Sequence, residues 1–513
     1  MAEPLEIHGG LLARNTLLNF AGQVIPLLVG LATIPYVVRG LGTERFGILS
    51  IAWVLLGYFS LFDLGLGRAT TKFVAEALGR HEVGRLPGLV WTSLAFQVLS
   101  GLVGSLVVTA LTPLLVERVL KIPVGLIAET KLAFFVLAAS LPVVLATNAL
   151  RGVLEAAQRF DLVNYIKLPA SASVFLLPAI ALPFGLGLPG IVVLLVLARL
   201  GATLGYLGVC LRLFPALRHR PSLDSTILRP LVGFGGWVTI SNVIGPLLTY
   251  MDRFLIGALM SIAAVGYYAA PYEAITRLWI LPGSLAATLF PAFSSMGASD
   301  TTRTELGRLY ARSVKLSLLA MGPLTALIVV FAPQILRLWL GQDFAAKGTL
   351  AMQILALGVL INSLAVVPFS LIQGVGRPDL SAKFHLLELP IYAVLAWSLI
   401  GSMGIAGAAL AWTLRFTLDA ILHFGAAAKL RLVPLGALTQ DTLLRSMMGV
   451  FVFGLVLAPA VLLAGALPRQ ILLATLLVAS YGFATWSFFL DSSERKFTAS
   501  AFSQLVAAFG RAK

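Results

Sequence analysis

The sequence predicts an all-α integral membrane protein: 14 transmembrane helices, arranged as two six-helix lobes with two helices appended. A pseudo-twofold axis along the membrane normal is expected to relate the lobes. Three observations predict this fold: fourteen long apolar segments, an alternation of basic and charge-poor connections between them, and an internal repeat.

A hydrocarbon core of roughly 30 Å is crossed by about 20 apolar residues in a helix. Segments of that kind lie near residues 15–38, 46–62, 88–112, 131–150, 168–186, 190–211, 232–257, 265–294, 313–336, 349–373, 384–400, 404–428, 446–466 and 470–490. The chain is 59% hydrophobic and 12% charged, with mean hydropathy +0.95. A soluble chain carries about 25% charged residues. The first segment, preceded by the mixed-charge Met1–Arg14, reads as a retained span and not a cleaved signal.

One alternate set of connections, with both termini, holds 25 lysines and arginines, among them Arg68, Lys72, Arg80, Arg159, Arg212, Arg303, Lys315 and Arg377. The opposite set holds eight: Arg39, Arg45, Arg118, Lys121, Lys131, Arg337, Lys347 and Arg469. Short cytoplasmic connections carry the excess of positive charge. Both termini are therefore expected in the cytoplasm, as an even number of spans requires. The net charge of +15 reads as this bias, facing anionic lipid, and not as a nucleic-acid footprint.

The repeat appears at four places. Pro26-Leu27-Leu28 returns as Pro246-Leu247-Leu248, and Phe46-Gly47 as Val265-Gly266. Arg159-Phe160-Asp161-Leu162 returns as Arg377-Pro378-Asp379-Leu380, and Leu211-Arg212-Leu213 as Leu430-Arg431-Leu432. The offsets are 220, 219, 218 and 219. Spans 1–6 thus correspond to spans 7–12, and both halves enter from the cytoplasm. The expected organisation is an N-terminal lobe over 1–212, a linker over 213–231, a C-terminal lobe over 232–430 and an appended pair with a tail over 431–513. Transporters built from such repeats hold substrate between the halves. The tail from Lys496 to Lys513 has apolar residues at near-helical spacing, which fits a short interfacial helix or a frayed tail.

Ionisable side chains at membrane depth are costly and mark function by default. Span 6 carries Arg199, span 7 Asp252 and Arg253, span 8 Glu273 and Arg277, and span 12 Arg415. Glu273 lies one turn before Arg277, on the same face. Asp63 ends span 2. Span 11 holds His385 and Glu388, and span 12 adds Asp419 and His423. Each also has a structural reading: a neutralised pair, a cap near the interface, or a hydrogen-bonded interior histidine. The sign favours a ligand, because arginine offers a permanently charged planar fork suited to phosphate. Polar residues and prolines cluster at matching places in spans 1 and 7, including Asn15, Asn19, Pro26, Asn242, Pro246 and Thr249.

Several classes are excluded. No GxxxxGK[ST] motif or soluble domain is present to use ATP. The single cysteine, Cys210, rules out an internal disulfide and a multi-cysteine metal site. The longest outer connection, 113–130, offers only Glu117, Arg118, Lys121 and Glu129, without a paired-carboxylate or metal cluster. No catalytic, metal or cofactor residues are assigned, and the chain is not read as an enzyme.

At four places the sequence resembles a known family. Pro35–Gly47 (PYVVRGLGTERFG), Asp63-Leu64-Gly65-Leu66-Gly67, Asp252-Arg253 with Val265-Gly266-Tyr267-Tyr268, and Leu338-Trp339-Leu340-Gly341 with Phe344 are similar to segments of Wzx-type polysaccharide flippases. These form a branch of the multidrug/oligosaccharidyl-lipid/polysaccharide exporter superfamily. The resemblance implies transfer of a polyprenyl-diphosphate-linked oligosaccharide from the cytoplasmic to the periplasmic leaflet of a bacterial inner membrane. It implies a central cavity lined by spans 1, 2, 7 and 8, H⁺ or Na⁺ as coupling ion, and a glycan polymerase and export machinery as partners; nucleic acid is not among them. Arg277, Arg253, Arg199 and Arg415 are the expected substrate contacts, in that order, and Glu273, Asp252 and Asp63 the coupling or release groups. The alternatives are a multidrug or cation antiporter of the same fold, and a lipid II flippase. The sister lipid II flippases use basic residues in spans 1, 2 and 8, and only the span 8 position is matched here, by Arg277.

Overall fold

In hydrocarbon every backbone N–H and C=O must find its partner within the segment, and the helix is the form that allows it. The computed structural model accordingly shows helices wherever the apolar segments fall among the residues it describes. These are 9–63, 66–80, 82–157, 159–218, 244–296, 303–430, 441–492 and 494–495. The linker from 219 onward, Ser241 and Asn242, and the expected tail helix lie outside the described residues. Eleven described helices are long and apolar enough to cross a membrane.

The first helix, α1 (Gly9–Tyr58), runs through both of the first two expected spans. Its regular geometry is broken inside at Gly42, where φ is 77°. That left-handed conformation is open to glycine without a Cβ penalty, so one residue does the work of the loop expected over 39–45. After a 3₁₀ turn, α2 (Leu66–Gly79) follows. It buries Leu66, Ala69, Val74 and Ala77 along one stripe and leaves Lys72 and Glu76 outside. Most of the basic connection expected after span 2 is therefore an amphipathic helix.

The chain continues through α3 (Leu86–Leu114), α4 (Ile127–Ala139), α5 (Leu141–Ala156), α6 (Phe160–Ala181), α7 (Leu188–Leu213), α8 (244–259) and α9 (Ile262–Thr276). Then come α10 (Ile280–Met296), α11 (Arg303–Leu340), α12 (Gln342–Gly374), α13 (Pro378–Met403), α14 (Ile405–Lys429), α15 (Asp441–Leu463) and α16 (Leu467–Ala484).

Two compact units form. The first comprises Met1–Arg277 and His385–Ala411. In it α1 packs on α6 and α9, and α3 on α5. One core gathers Leu66 and Val74 with Leu89, Leu150, Leu154, Tyr206 and Cys210. At the other ends of these helices Arg45 pairs with Glu129 at 3.0 Å. Glu129 also accepts the Leu188 N–H at 2.9 Å, which ties together α1, α4 and the start of α7.

The crossing of α1 and α9 is reciprocal. A Cβ on Gly47 would collide with the Ile262 carbonyl oxygen, and one on Gly266 would stand 2.8 Å from the Thr43 carbonyl oxygen. Thr43 and Gly47 lie 219 residues before Ile262 and Gly266. Residue i of one helix meets j of the other, and j meets i, as across a twofold axis.

The second unit comprises Leu278–Phe384 and Trp412–Lys513. There α11 packs along α12 and against α15. Tyr310, Val314, Val367 and Leu371 share one core, and Leu319, Phe453, Leu457 and Tyr481 another. Helix α11 has 38 residues, about 57 Å at 1.5 Å each, so it outruns the bilayer. Lys315, expected in a basic connection, sits on this helix and is buried. Its Nζ donates to Glu494 Oε2 at 2.6 Å and to the Phe489 carbonyl at 3.2 Å. A lysine is therefore buried alongside the arginines.

The third repeat pair is matched atom for atom. Arg159 forks onto Asp161 at 3.0 and 2.9 Å, and Arg377 onto Asp379 at 2.9 and 3.2 Å. Each arginine N–H also closes onto the carbonyl five residues back, at 2.9 and 3.0 Å. The same turn thus joins α5 to α6 and α12 to α13.

Candidate functional site

A cavity of about 260 Å³ opens within the first unit. It is lined by α1 (Pro26, Trp53), α6 (Ser171, Phe175), α8 (Tyr250, Arg253) and α9 with the turn after it (Glu273, Arg277). Three of the seven site residues expected from sequence are therefore brought together: Arg253, Glu273 and Arg277. They come from two helices that the sequence links by a short turn at Ser261, whose hydroxyl caps α9 by accepting the Ala264 N–H at 3.2 Å.

Glu273 is the hub. Its Oε1 accepts from Arg253 at 3.0 Å and its Oε2 from Arg277 at 2.9 Å. The Arg277 contact is the expected i,i+4 pair on one face. The Arg253 contact was not expected, because sequence spacing cannot show which helix faces which. The two arginine side chains differ sharply in exposure, 1% for Arg253 against 33% for Arg277. The Arg253 guanidinium also lies 4.4 Å from the Tyr272 ring, and Arg277 lies 5.3 Å from the Phe175 ring. Such contacts are favourable where the cation is desolvated.

The energies differ accordingly. Removing one partner from a buried ion pair costs about 3–5 kcal/mol, because the other charge is left uncompensated. An exposed i,i+4 pair is worth only about 0.3–0.5 kcal/mol. Glu273 is therefore bound to Arg253 by need, whereas the partly buried Arg277 is the less costly of the two to part from Glu273. Among the lining residues, with Glu273 ionised, the two arginines leave one net positive charge, which the neighbouring Asp252 carboxylate offsets from behind.

Asp252 and Arg253 are neighbours on α8 and point apart, as i and i+1 must. Asp252 Oδ1 accepts the Arg253 backbone N–H at 2.7 Å, and Oδ2 accepts from the Tyr268 hydroxyl at 2.6 Å. Asp252 thus fastens α8 to α9 behind the cavity.

The walls are aromatic. Trp53 and Phe175 meet edge to face at 5.3 Å, and Tyr250 meets Tyr58 at 5.9 Å. Sequence reasoning passed over Trp53, Phe175 and Tyr250 because aromatic residues inside an apolar span carry no polar signal. The single carboxylate among the lining residues gives both oxygens to arginine, which is not a metal-ligand set.

The other expected site residues stand elsewhere. Asp63 closes a 3₁₀ turn, and its carboxylate stands 3.4 Å from the Gly67 N–H at the start of α2. A Cβ on Gly67 would lie 3.3 Å from that carboxylate, a tight approach. Arg199 is on α7 and is not among the lining residues. Arg415 belongs to the second unit, where its guanidinium lies 3.9 Å from the Phe416 ring.

Comparison with known proteins adds one family match, two relatives and two solved structures. Residues 12–297 match the family described as "Polysaccharide biosynthesis protein". The chain is 30% identical over 416 residues to a "putative O-antigen transporter" of Shigella flexneri, covering 80% of this chain and 96% of that one. It is 24% identical over 422 residues to the "probable low-salt glycan biosynthesis flippase Agl15" of Haloferax volcanii, covering 80% and 82%. Among solved structures, the inward closed form of the lipid II flippase MurJ superposes with a TM-score of 0.69 at 11% identity, over 92% of this chain and 99% of that one. An inward-facing multidrug resistance MATE family transporter gives 0.65 at 17% identity, over 83% and 96%. At such identities the two structures speak for the fold.

Proposed function

The chain belongs to the polysaccharide biosynthesis protein family, and we propose that it is a flippase for polyprenyl-diphosphate-linked oligosaccharide. It moves this lipid from the cytoplasmic to the periplasmic leaflet of a bacterial inner membrane by alternating access. The observation that carries the reading is Arg277: a guanidinium one-third exposed on a cavity wall, paired with a carboxylate that a buried arginine also needs.

In this reading Arg277 leaves Glu273 and forks onto the diphosphate, with charge-assisted hydrogen bonds stronger than those of neutral groups. Arg253 stays paired with Glu273 and adds its field to that of Arg277. We rank Arg253, Arg199 and Arg415 behind Arg277 as substrate contacts. Release follows when Glu273 recaptures Arg277, with Asp252 keeping α8 and α9 in register and Asp63 acting as a cap. The cavity measures about 260 Å³. It accommodates a diphosphate and at most the first sugar, against the aromatic walls, so the rest of the oligosaccharide lies outside it.

The electrical field helps the step. Outward movement of negative charge across an inside-negative membrane is favoured by about 2.3 kcal/mol per charge per 100 mV. Desolvation of phosphates and sugars is the obstacle, and a cationic cavity lowers it without ATP. We extend the architecture to 14 spans in two six-helix lobes with the domain limits given above, both termini cytoplasmic. The reciprocal α1–α9 crossing and the twin Arg-x-Asp turns support that symmetry. A glycan polymerase and export machinery are the natural recipients of the product.

The test is flipping of a lipid-linked oligosaccharide in proteoliposomes. Arg277→Ala should lower the rate at least about tenfold while the protein stays folded, and Arg277→Lys should recover part of it, because a point charge replaces the fork. Wild-type flipping by Arg277→Ala would remove Arg277 from the pathway.

A further inference from the structure

Span 8 is broken at membrane depth. Helix α9 ends at Thr276, a 3₁₀ turn covers Arg277–Trp279, and α10 starts at Ile280. The turn falls near the middle of the expected span 265–294. Pro282 accounts for it. Proline has no N–H to give to the Leu278 carbonyl, and its ring clashes with that carbonyl, so an unbroken helix through both is costly. Proline is accepted in the first turn of a helix, which is where α10 holds it. Irregular backbone at this depth is tolerated where it is buried in protein or lines a cavity. Arg277, the first residue of the turn, lines one.

A 3₁₀ turn has poorer hydrogen-bond geometry than an α-helix, so its side chains must help to hold it. On one side Arg277 donates to Glu273 at 2.9 Å and lies over the Phe175 ring. Residues two apart do not share a helix face, so Trp279 leaves the turn in another direction. It stacks on Trp412 at 5.8 Å, with 22° between the ring planes, and meets Phe416 edge to face at 5.8 Å. Trp412 and Phe416 lie one turn apart on α14 and touch each other edge to face at 4.5 Å. Trp412 is fully buried, and a Cβ on Gly358 of α12 would stand 2.7 Å from its ring. The platform under Trp279 is therefore tightly packed.

Trp279 Nε1 finds no hydrogen-bond partner among the described residues. Ring contacts, and not a hydrogen bond, hold this indole. The division into compact units runs through the same turn: Arg277 belongs to the first, and Leu278 and Trp279 to the second.

The two anchors of the turn are not equal. When Arg277 leaves Glu273 for a diphosphate, the hold on its side is given up at that moment. The aromatic contacts do not involve that charge and stay. A guanidinium presented from a fixed turn is preorganised, whereas one on a loose turn must be ordered on binding, at a cost in affinity.

We propose that Trp279 is the positioning residue for Arg277: stacked on Trp412 and Phe416, it fixes the turn that presents the guanidinium to the cavity. That this serves diphosphate binding rests on the flippase reading; that Trp279 fixes the turn does not. Two measurements therefore keep their failures apart. The first reads the turn without ligand. In full-length protein carrying Cys210→Ala and Arg277→Cys, the labelling rate of the introduced thiol by a water-soluble maleimide is measured in nanodiscs. Adding Trp279→Ala should change that rate several-fold, and Trp279→Phe, which keeps a ring on Trp412, should return it toward the starting value. If Trp279→Ala does not fold, Trp279→Leu takes its place, filling space without a stacking face. An unchanged rate overturns the anchor.

The second is equilibrium binding of a polyprenyl diphosphate in nanodiscs. Trp279→Ala should weaken it several-fold, and Trp279→Phe should recover most of the loss. In an Arg277→Ala background Trp279→Ala should weaken binding no further, because the group that it positions is gone. Wild-type binding by Trp279→Ala, or an equal loss in both backgrounds, overturns the positioning role. Wild-type binding by Arg277→Ala alone would instead fail the reading of Arg277 as the diphosphate contact, and the labelling result still decides the anchor.

Discussion

Two buried ion clusters can be set side by side, one in each unit. In the second unit Lys315 and Glu494 are 6% and 3% exposed and meet at 2.6 Å. Each partner carries a second bond: Lys315 also donates to the Phe489 carbonyl, and Glu494 also accepts the Asp491 N–H at 2.9 Å. In the first unit one carboxylate serves two arginines of unequal burial beside a cavity. The lesson is that burial of charge does not mark a working site. A cluster whose members are all held inside is a fastener, joining α11 to the end of the last helix. A cluster with one less tightly held arm facing open space can act on a ligand.

The comparison can be broken at its strongest point first. Glu273→Ala strands Arg253 in the core and should cost about 3–5 kcal/mol, read as a fall in thermal unfolding temperature of the purified protein. A near-normal stability would mean that Arg253 does not need Glu273, and the asymmetry between the two arginines would vanish. Lys315→Met should be nearly as damaging because Glu494 is left behind, yet Lys315→Met with Glu494→Leu should recover most of the loss, since apolar residues replace buried pairs at little net cost. If the double variant is as unstable as the single, Lys315–Glu494 does more than fasten.

The α1–α9 crossing sharpens the picture at lower energy. Gly47→Ala must push the Ile262 carbonyl away and should cost about 1–3 kcal/mol. Gly266→Ala, with 2.8 Å to the Thr43 oxygen, should cost less. Equal and negligible effects on stability would show that the helices do not depend on this approach.

Much of this was legible beforehand. Hydrophobic length marks a span because the bilayer sets the length, and the i,i+4 spacing of Glu273 and Arg277 is a local fact that a helix must honour. The repeated words at Arg159 and Arg377 were visible too, though the turn that they build was not. What escaped lies between helices. Glu273 reaches Arg253 across 20 residues, and no periodicity reports which faces pack together. The aromatic walls at Trp53, Phe175 and Tyr250 were hidden because apolar spans use aromatics everywhere. Lys315 was misplaced because a basic run at a span end looks the same whether its last member snorkels or turns inward to a carboxylate 179 residues away. Gly42 replaced an expected loop because one positive φ can redirect a helix that composition would simply end.

The central claim is that Arg277 is the spare arm, needed by the ligand and not by the fold. Its most direct test is equilibrium binding of a polyprenyl diphosphate to the purified chain in nanodiscs, with thermal unfolding measured on the same samples. Arg277→Ala should lose clearly less stability than Glu273→Ala, because Arg277 is the more exposed of the two arginines, and bind the diphosphate at least about tenfold more weakly. Binding equal to wild type, or a loss of stability like that expected for Glu273→Ala, would contradict the claim.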